Sequence, residues 1–224
     1  MRKFGIEIEL ESINIEKFTE CFSLPFTHCG ITDFSECTME GQVFPNGYRR
    51  HIDGCVRCGA DMKTYWHIIY EAVHVEGLLY EIVSPIMSDF EQLKVLCKAL
   101  VLSNATVNPE RGGLHVHIDA NGMPDQKIID IIKSYQNMET DIDRMVAKRR
   151  RGDNNVVCAG SLIDIELSNV STVKELLKAF GHKCYKVNPF SLKKYGTIEF
   201  RQHEATIEFQ KIKNWCLFIQ ELCS

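Results

Sequence analysis

The chain has 224 residues, of which 45% are hydrophobic and 25% charged, the composition typical of a soluble globular protein. Its formal net charge of −4 argues against a basic surface for nucleic acid, so no nucleic-acid partner is expected. No stretch approaches the roughly 20 apolar residues that span a bilayer, and we therefore expect no membrane partner.

The first ten residues, MRKFGIEIEL, contain Glu7 and Glu9 and therefore lack the apolar core of a secretion signal. The expected localisation is cytoplasmic. In that compartment the ten cysteines are expected to be mostly reduced thiols and not a disulfide framework.

Four segments alternate apolar and polar residues in the way that is typical of a β-strand with one buried face. They are KFGIEIELE at 3–11, LLYEIVSP at 78–85, GGLHVHIDA at 112–120 and TIEFRQHEAT at 197–206. A further short strand is predicted near 184–188. Helical periodicity predicts helices near 15–22, 88–103, 125–148, 172–180 and 207–222. Capping boxes at Ser88-x-x-Glu91 and Thr172-x-x-Glu175 are predicted to open the second and fourth of them, and Gly181 is predicted to end the fourth.

Strands with one polar and one apolar face indicate a largely antiparallel sheet, because the strands of a doubly wound parallel sheet are apolar on both sides. We predict an α+β fold, with helices packed on the apolar face of the sheet and the polar face open to solvent. No internal repeat or linker divides the chain, so a single domain over 1–224 is predicted, with a cysteine-rich insertion at about 20–75.

The polar face of the predicted sheet carries an unusual set of side chains. Its members are Glu7, Glu9, Glu11, Glu81, His115, His117, Asp119, Glu199, Arg201 and His203. On any one strand an ordinary solvated face explains them. Together, the carboxylates would repel each other by about 1 kcal/mol or more per close pair, a cost that divalent cations remove.

The residue types on this face suit phosphate chemistry. Mg²⁺ prefers carboxylate oxygens and often bridges to phosphates, whereas imidazole suits Mn²⁺ or Zn²⁺, or a hydrogen bond to phosphate. An arginine among acids pairs well with an anion such as a phosphoryl group. The combination suggests nucleotide-dependent phosphoryl transfer.

The cysteines allow a different site. Cys55 and Cys58 form one C-x-x-C pair, and Cys29 and Cys37 lie upstream as further ligands for a structural Zn²⁺. Such a site usually has two tight pairs, and here seven residues lie between the members of the second pair. The alternative is a set of ordinary buried or free thiols.

Five pieces of the sequence match a known family in order along the chain. They are FGIEIEL, LYEIVSP, GGLHVHID, RRRGDNN and NPFSLKKYGTIEFRQHEAT. With them the chain resembles the putative amidoligases, relatives of glutamine synthetase and γ-glutamylcysteine ligase.

The resemblance implies a curved antiparallel sheet like the glutamine synthetase catalytic domain. It also implies ATP- and Mg²⁺-dependent joining of a carboxylate to an amine through an acyl phosphate, giving a peptide or isopeptide bond. Two or three Mg²⁺ ions are implied, with Mn²⁺ as a substitute. The partners would be small-molecule or peptide acids and amines, and a homo-oligomer is compatible with the superfamily.

The resemblance also assigns residues. As metal ligands it implies Glu7, Glu9, Glu81, His115 and Glu199. As catalytic residues it implies Arg201, Glu9, Glu199 and His115. Toward the nucleotide it implies His117, Arg201 and an arginine of the 149–151 run, Arg150 or Arg151. His203, on the strand of Arg201, is a further candidate for contacting the nucleotide or substrate, with the alternative that it only orients its neighbours. Glu11 is a candidate for taking the proton of the amine.

The chain also departs from the family pattern. Ala205-Thr206 stands where the family has Gly-Thr, and the cysteine-rich segment at 20–75 replaces much of the acceptor-side region. These departures concern the substrates more than the phosphoryl chemistry. Two other classes of function stay open from the sequence: a metal-dependent hydrolase that needs no ATP, and a non-catalytic protein that binds nucleotide or metal on the same fold.

Overall fold

A computed structural model describes residues 1–30, 64–70, 80–153 and 159–224. Within these ranges the strands are β1 (Phe4–Leu10), β2 (Phe26–Gly30), β3 (Trp66–Tyr70), β4 (Tyr80–Val83), β5 (Gly113–Asp119), β6 (Val187–Asn188) and β7 (Thr197–Glu204). The α-helices are α1 (Ile15–Cys21), α2 (Glu91–Leu102), α3 (Asp125–Asp143), α4 (Val173–Phe180), α5 (Ser191–Tyr195) and α6 (Phe209–Leu222). A short 3₁₀ turn spans Lys148–Arg150.

The strands form one sheet in the order β2-β3-β4-β1-β5-β7-β6. Every neighbouring pair is antiparallel except β2 and β3, which are parallel at one edge. The prediction of a mixed fold with a largely antiparallel sheet is confirmed. The middle of the sheet is β1, β5 and β7, three strands that come from the two ends and the centre of the chain.

The apolar faces of β1 and β5 lie in the hydrophobic core. Ile6 and Ile8 of β1 pack with Val116 of β5, and each is almost entirely buried. Helices α2, α3 and α6 contribute their buried sides to the same core. Burying each such side chain stabilises the fold by about 1.5–3 kcal/mol. Because alternate residues of a strand point to opposite faces, burying this set leaves the polar side chains on the other face of the sheet.

Two helix boundaries differ from prediction. α2 begins at Glu91, whose N–H is accepted by the Asp89 carboxylate at 3.0 Å, so the predicted cap at Ser88 is wrong. α3 ends at Asp143 and not near 148. The chain turns away there because the Glu204 carboxylate of β7 accepts the Ala147 N–H at 2.9 Å, which anchors the following turn to the sheet.

Helix α4 has the predicted capping box. The Thr172 hydroxyl accepts the Glu175 N–H, and the Glu175 carboxylate accepts the Thr172 N–H in return. The helix ends at Gly181, which has a φ of 69°. Glycine adopts this conformation without strain, so the predicted stop is confirmed as well.

None of the helices in the described ranges combines the length and the apolar character that crossing a bilayer requires.

We expect Thr172→Ala to destabilise the fold by about 1 kcal/mol, because the first turn of α4 loses its side-chain acceptor. This corresponds to a melting temperature lower by about 2–4 °C, measured by circular dichroism. Thr172→Ser keeps the hydroxyl and serves as the matched control. Equal melting temperatures for the two variants would contradict the role of the cap.

Candidate functional site

A β-bulge in β7 decides which of its side chains reach the polar face of the sheet. Leu114 of β5 lies opposite His203, whereas Val116 lies opposite Phe200. One residue of β5 therefore faces two residues of β7, at positions 201–202. An extra residue of this kind resets the alternation of side chains along a strand, and bulges are common beside active sites.

Three side chains meet at the centre of the polar face, Glu7 of β1, His115 of β5 and Glu199 of β7, and we call them the Glu7–His115–Glu199 cluster. One ligand atom of each lies within 4.8 Å of those of the other two. His115 Nδ1 is 3.0 Å from Glu7 Oε2 and 3.7 Å from Glu199 Oε1. Two carboxylates and an imidazole are a suitable donor set for a divalent cation.

The register of the sheet produces this cluster. Glu7 lies directly opposite His115, and Glu199 lies directly opposite His117. Opposed residues of antiparallel strands point to the same face with their Cβ atoms about 4.5–5.5 Å apart. The four side chains therefore gather without any loop having to place them.

His117 is a second imidazole at the edge of the cluster. Its Nε2 lies 3.2 Å from Glu7 Oε1 and 3.9 Å from Glu199 Oε1. Its Nδ1 is hydrogen-bonded to Thr197 Oγ1 at 3.0 Å, and the Tyr195 ring meets the imidazole edge-on. These contacts fix the ring with Nε2 toward the carboxylates.

Arg201 brings a permanent positive charge to the cluster. Its guanidinium donates to Glu199 Oε1, while the Asn188 side-chain amide donates to Glu199 Oε2 at 2.5 Å. Both oxygens of Glu199 are thus occupied in this structure. A charge-assisted contact of this kind is strong and orients the arginine side chain.

The pKa values show how the histidines balance the acids. Burial alone would raise the pKa of Glu7, but the charge of His117 and hydrogen bonds from His115 and His117 hold that pKa well below its usual range. Burial would lower the pKa of His117, but the Glu7 and Glu199 carboxylates outweigh it and raise that pKa. The two carboxylates thus favour the protonated form of the His117 imidazole.

Glu9 and Glu81 lie on the same face, one step along the sheet from Glu7. They are directly opposite each other on β1 and β4. The Glu9 carboxylate accepts the Gly113 N–H at 2.5 Å. The two acids are therefore adjacent to the Glu7–His115–Glu199 cluster but not part of its set of close ligand atoms.

Gly113 has to be a glycine. A Cβ atom at this position would lie 2.7 Å from His115 Nε2 and 3.1 Å from an Arg150 nitrogen. The missing side chain lets the imidazole and the guanidinium approach the backbone where β5 begins.

The structure separates the two arginines that the sequence leaves as alternatives. Arg150 is fully buried and donates to the Arg111 carbonyl at 2.9 Å, with its guanidinium beside Gly113 and His115. Arg151 is exposed, and its Nε donates to the Val146 carbonyl at 2.9 Å. Of the two, Arg150 is the one whose guanidinium lies beside the start of β5.

His203 does not share the face of Glu199 and Arg201, so that prediction is wrong. The bulge turns His203 toward the helices, where its ring lies 5.1 Å from the ring of Trp215 in α6. Its Nδ1 is hydrogen-bonded to the Glu204 carbonyl at 2.7 Å. The predicted nucleotide contact therefore does not follow from its position.

The polar face is also less open than predicted. His115 is 2% exposed and Glu199 4% exposed, because Arg150 and Asn188 lie against the cluster. Glu11 lies just beyond β1, where its carboxylate accepts the Thr106 hydroxyl at 3.5 Å. Its predicted role as a proton acceptor stays a prediction.

The sequence pattern does not identify Asn188 and Thr197, which hold Glu199 and His117 in place. Both residues lie within the segment NPFSLKKYGTIEFRQHEAT. Their chemistry is too common to identify them without the pairing of β6 with β7.

The predicted zinc site cannot be placed. Cys37, Cys55 and Cys58 lie outside the described residues, and only the backbone of Cys29, in β2, is described. The zinc site stays a prediction.

An antiparallel sheet with clustered carboxylates, imidazoles and an arginine on one face is the kind of surface that can bind metal ions and phosphates. A family model described as "Putative amidoligase enzyme" matches residues 73–223, which is more than half of the chain. The chain therefore belongs to the amidoligase family, and the family supports an enzyme of the ligase class. No curated protein matches the chain.

The donor set predicts that Mn²⁺, used as a probe, binds the wild-type protein and binds Glu7→Gln at least about tenfold more weakly, because a ligand charge is lost. Isothermal titration calorimetry measures both affinities. Glu16→Gln, an exposed carboxylate on α1, is the control that should bind Mn²⁺ as the wild type does. Unchanged affinity in both Glu7→Gln and Glu199→Gln would contradict a metal site here.

Burial lowers the pKa of His203, so folding favours its neutral imidazole and the residue gains a proton more easily when the protein is unfolded. As the pH falls below about 6.5, the unfolded state binds more protons and stability decreases by at most about 1.4 kcal/mol per pH unit from this group. We expect the free energy of unfolding of His203→Gln, measured with urea from pH 7.5 to 5.5, to lack this decrease. His182→Gln, at an exposed histidine, should keep it; identical pH dependence in wild type and His203→Gln would refute the assignment.

Proposed function

We propose that the protein uses ATP to join a carboxylate to an amine, with the Glu7–His115–Glu199 cluster and Arg201 as the centre of the active site. One observation carries the proposal: the Arg201 guanidinium contacts Glu199, one of three side chains whose atoms lie close enough together to ligate one metal ion. A site that binds only a metal ion does not need an arginine in contact with one of its ligands. A site that binds a metal-bound phosphate needs the metal ligands and the arginine together.

The residues of the cluster fit a divalent cation. Glu7 and Glu199 offer carboxylate oxygens for Mg²⁺, and the His115 imidazole also suits Mn²⁺. Glu9 and Glu81 provide two more carboxylates on the same face, in keeping with a site for two or three ions. When bound, Mg²⁺ would neutralise charge on the phosphates of the nucleotide.

The basic side chains of this site are suited to the phosphates. With Glu199 holding a metal ion, the Arg201 guanidinium would pair with a phosphoryl oxygen in its place, since carboxylate and phosphate are both anions. Arg150 adds a second fixed positive charge beside Gly113 and His115. Positive charges held in a buried site act more strongly than charges in water and need little reorganisation.

In the proposed reaction the substrate carboxylate attacks the γ-phosphorus of ATP, which gives an acyl phosphate and ADP. The amine then attacks the carbonyl carbon and gives up a proton to solvent or a nearby carboxylate, and phosphate leaves as the amide forms. Positioning and charge neutralisation are most of what phosphoryl transfer asks of a protein. The residues around Glu199 can provide both.

The proposal predicts that ATP with Mg²⁺ stabilises the folded protein. At a hundredfold excess over Kd the gain is about 2.7 kcal/mol, or about 5–10 °C in melting temperature. A thermal-shift screen with ATP, Mg²⁺ and both together measures it. Panels of acids and amines can then be tested for ADP release.

In the ADP-release assay we expect Arg201→Ala to lower turnover about a hundredfold or more, because a charge aimed at the transferring group is lost. Arg144→Ala removes an exposed arginine that pairs with Asp141 and is the matched control. Equal turnover in the two variants would refute the role of Arg201. Bond cleavage without ATP would indicate a hydrolase, and nucleotide binding without turnover a binding protein.

A further inference from the structure

A buried polar network lies next to the bulge of β7 and has no part in the proposed reaction. Lys186 is fully buried, and its Nζ lies 2.6 Å from Glu139 Oε1 and 2.7 Å from Asp143 Oδ1. Both carboxylates belong to α3. Burying the charges of Lys186 and Glu139 beside the partly buried Asp143 is costly, and apolar residues of similar volume often stabilise a fold equally well. The network therefore calls for an explanation beyond stability.

Gln202 connects this network to the loop that carries Arg150. Its Nε2 donates to Asp143 Oδ1 at 2.5 Å and to the Arg150 carbonyl at 3.1 Å, and its Oε1 accepts the Tyr135 hydroxyl. Burial, together with the charges of Glu139 and Asp143, raises the pKa of Tyr135 well above its usual value. Tyr135 thus stays a donor, and this keeps the Gln202 nitrogen directed at Arg150.

The same network holds the backbone of both arginines. The Lys186 carbonyl accepts the Arg201 N–H at 2.7 Å. Asp143 Oδ2 accepts the Gly152 N–H at 2.8 Å, which closes the turn that carries Arg150. The Lys186 side chain pairs with Asp143, so a single lysine links the two backbone segments.

We propose that Lys186 and Gln202 are positioning residues that hold Arg150 and Arg201 toward the phosphates of the nucleotide. They act through the backbone of the two arginines and touch no substrate. The inference rests on the proposed function, because it concerns the same nucleotide. It goes further in assigning a task to a buried ion cluster on the helix side of the sheet.

The test compares the binding of a nucleotide analogue with the binding of a metal ion alone. We expect Gln202→Met and Lys186→Met to bind the Mg²⁺ complex of β,γ-imido-ATP about ten- to a hundredfold more weakly than wild type, while Mn²⁺ alone binds within about twofold. Calorimetry measures both affinities. A residue needed only for stability would not weaken one affinity and spare the other.

Two further variants make the comparison decisive. Gln220→Met removes a buried glutamine of α6 that is hydrogen-bonded to Arg2 and not to the network around Arg150. This variant should bind the analogue as wild type does. Lys186→Arg keeps the charge and should recover most of the affinity lost in Lys186→Met. Where Lys186→Met does not fold, Gln202→Met decides the question.

Wild-type analogue affinity in Gln202→Met, with weakened binding in Arg201→Ala, would overturn the positioning role and leave the proposed function intact. An equal loss in Gln220→Met would also overturn it, since the effect would then be general destabilisation. Wild-type affinity in Arg201→Ala would instead refute the proposed function itself.

Discussion

The register of β1, β5 and β7 is the constraint on which the rest of the site depends. Glu7 lies opposite His115, and Glu199 lies opposite His117. Regular alternation continues to Gln202, so Arg201 lies beside Glu199 on the polar face and Gln202 hydrogen-bonds to Tyr135 and Asp143 of α3 on the other face. The extra residue in β7 changes the alternation only at His203, which turns toward α6. Two consecutive residues of one strand therefore join the charged surface to the helical layer.

Burial of charge is the second constraint. Glu199 is almost inaccessible to water, yet each of its oxygens has a donor, from Arg201 or Asn188. Glu7 is likewise surrounded by two imidazoles. A buried carboxylate without such partners would be protonated or would destabilise the fold. The demands of stability and of phosphate chemistry thus lead to the same arrangement of charges.

The sequence was informative where strands are regular. The alternation in β1 and β5 correctly placed Glu7, Glu9, His115 and His117 on one face, because a core fixes the period of two. The same alternation placed His203 on the wrong face, because no residue type in this strand identifies the position of a β-bulge. The choice between Arg150 and Arg151 also depended on tertiary contacts, which local patterns do not encode. Asn188 could be identified only through strand pairing.

The order of the strands has a consequence for synthesis of the chain. Glu7 precedes Glu199 by 192 residues, so it leaves the ribosome long before Glu199 and Arg201 do. Since β5 lies between β1 and β7, the cluster cannot assemble on a nascent chain until β7 has emerged. Until then Glu7 stays without Glu199. Metal capture by this cluster would therefore report that β1, β5 and β7 have paired.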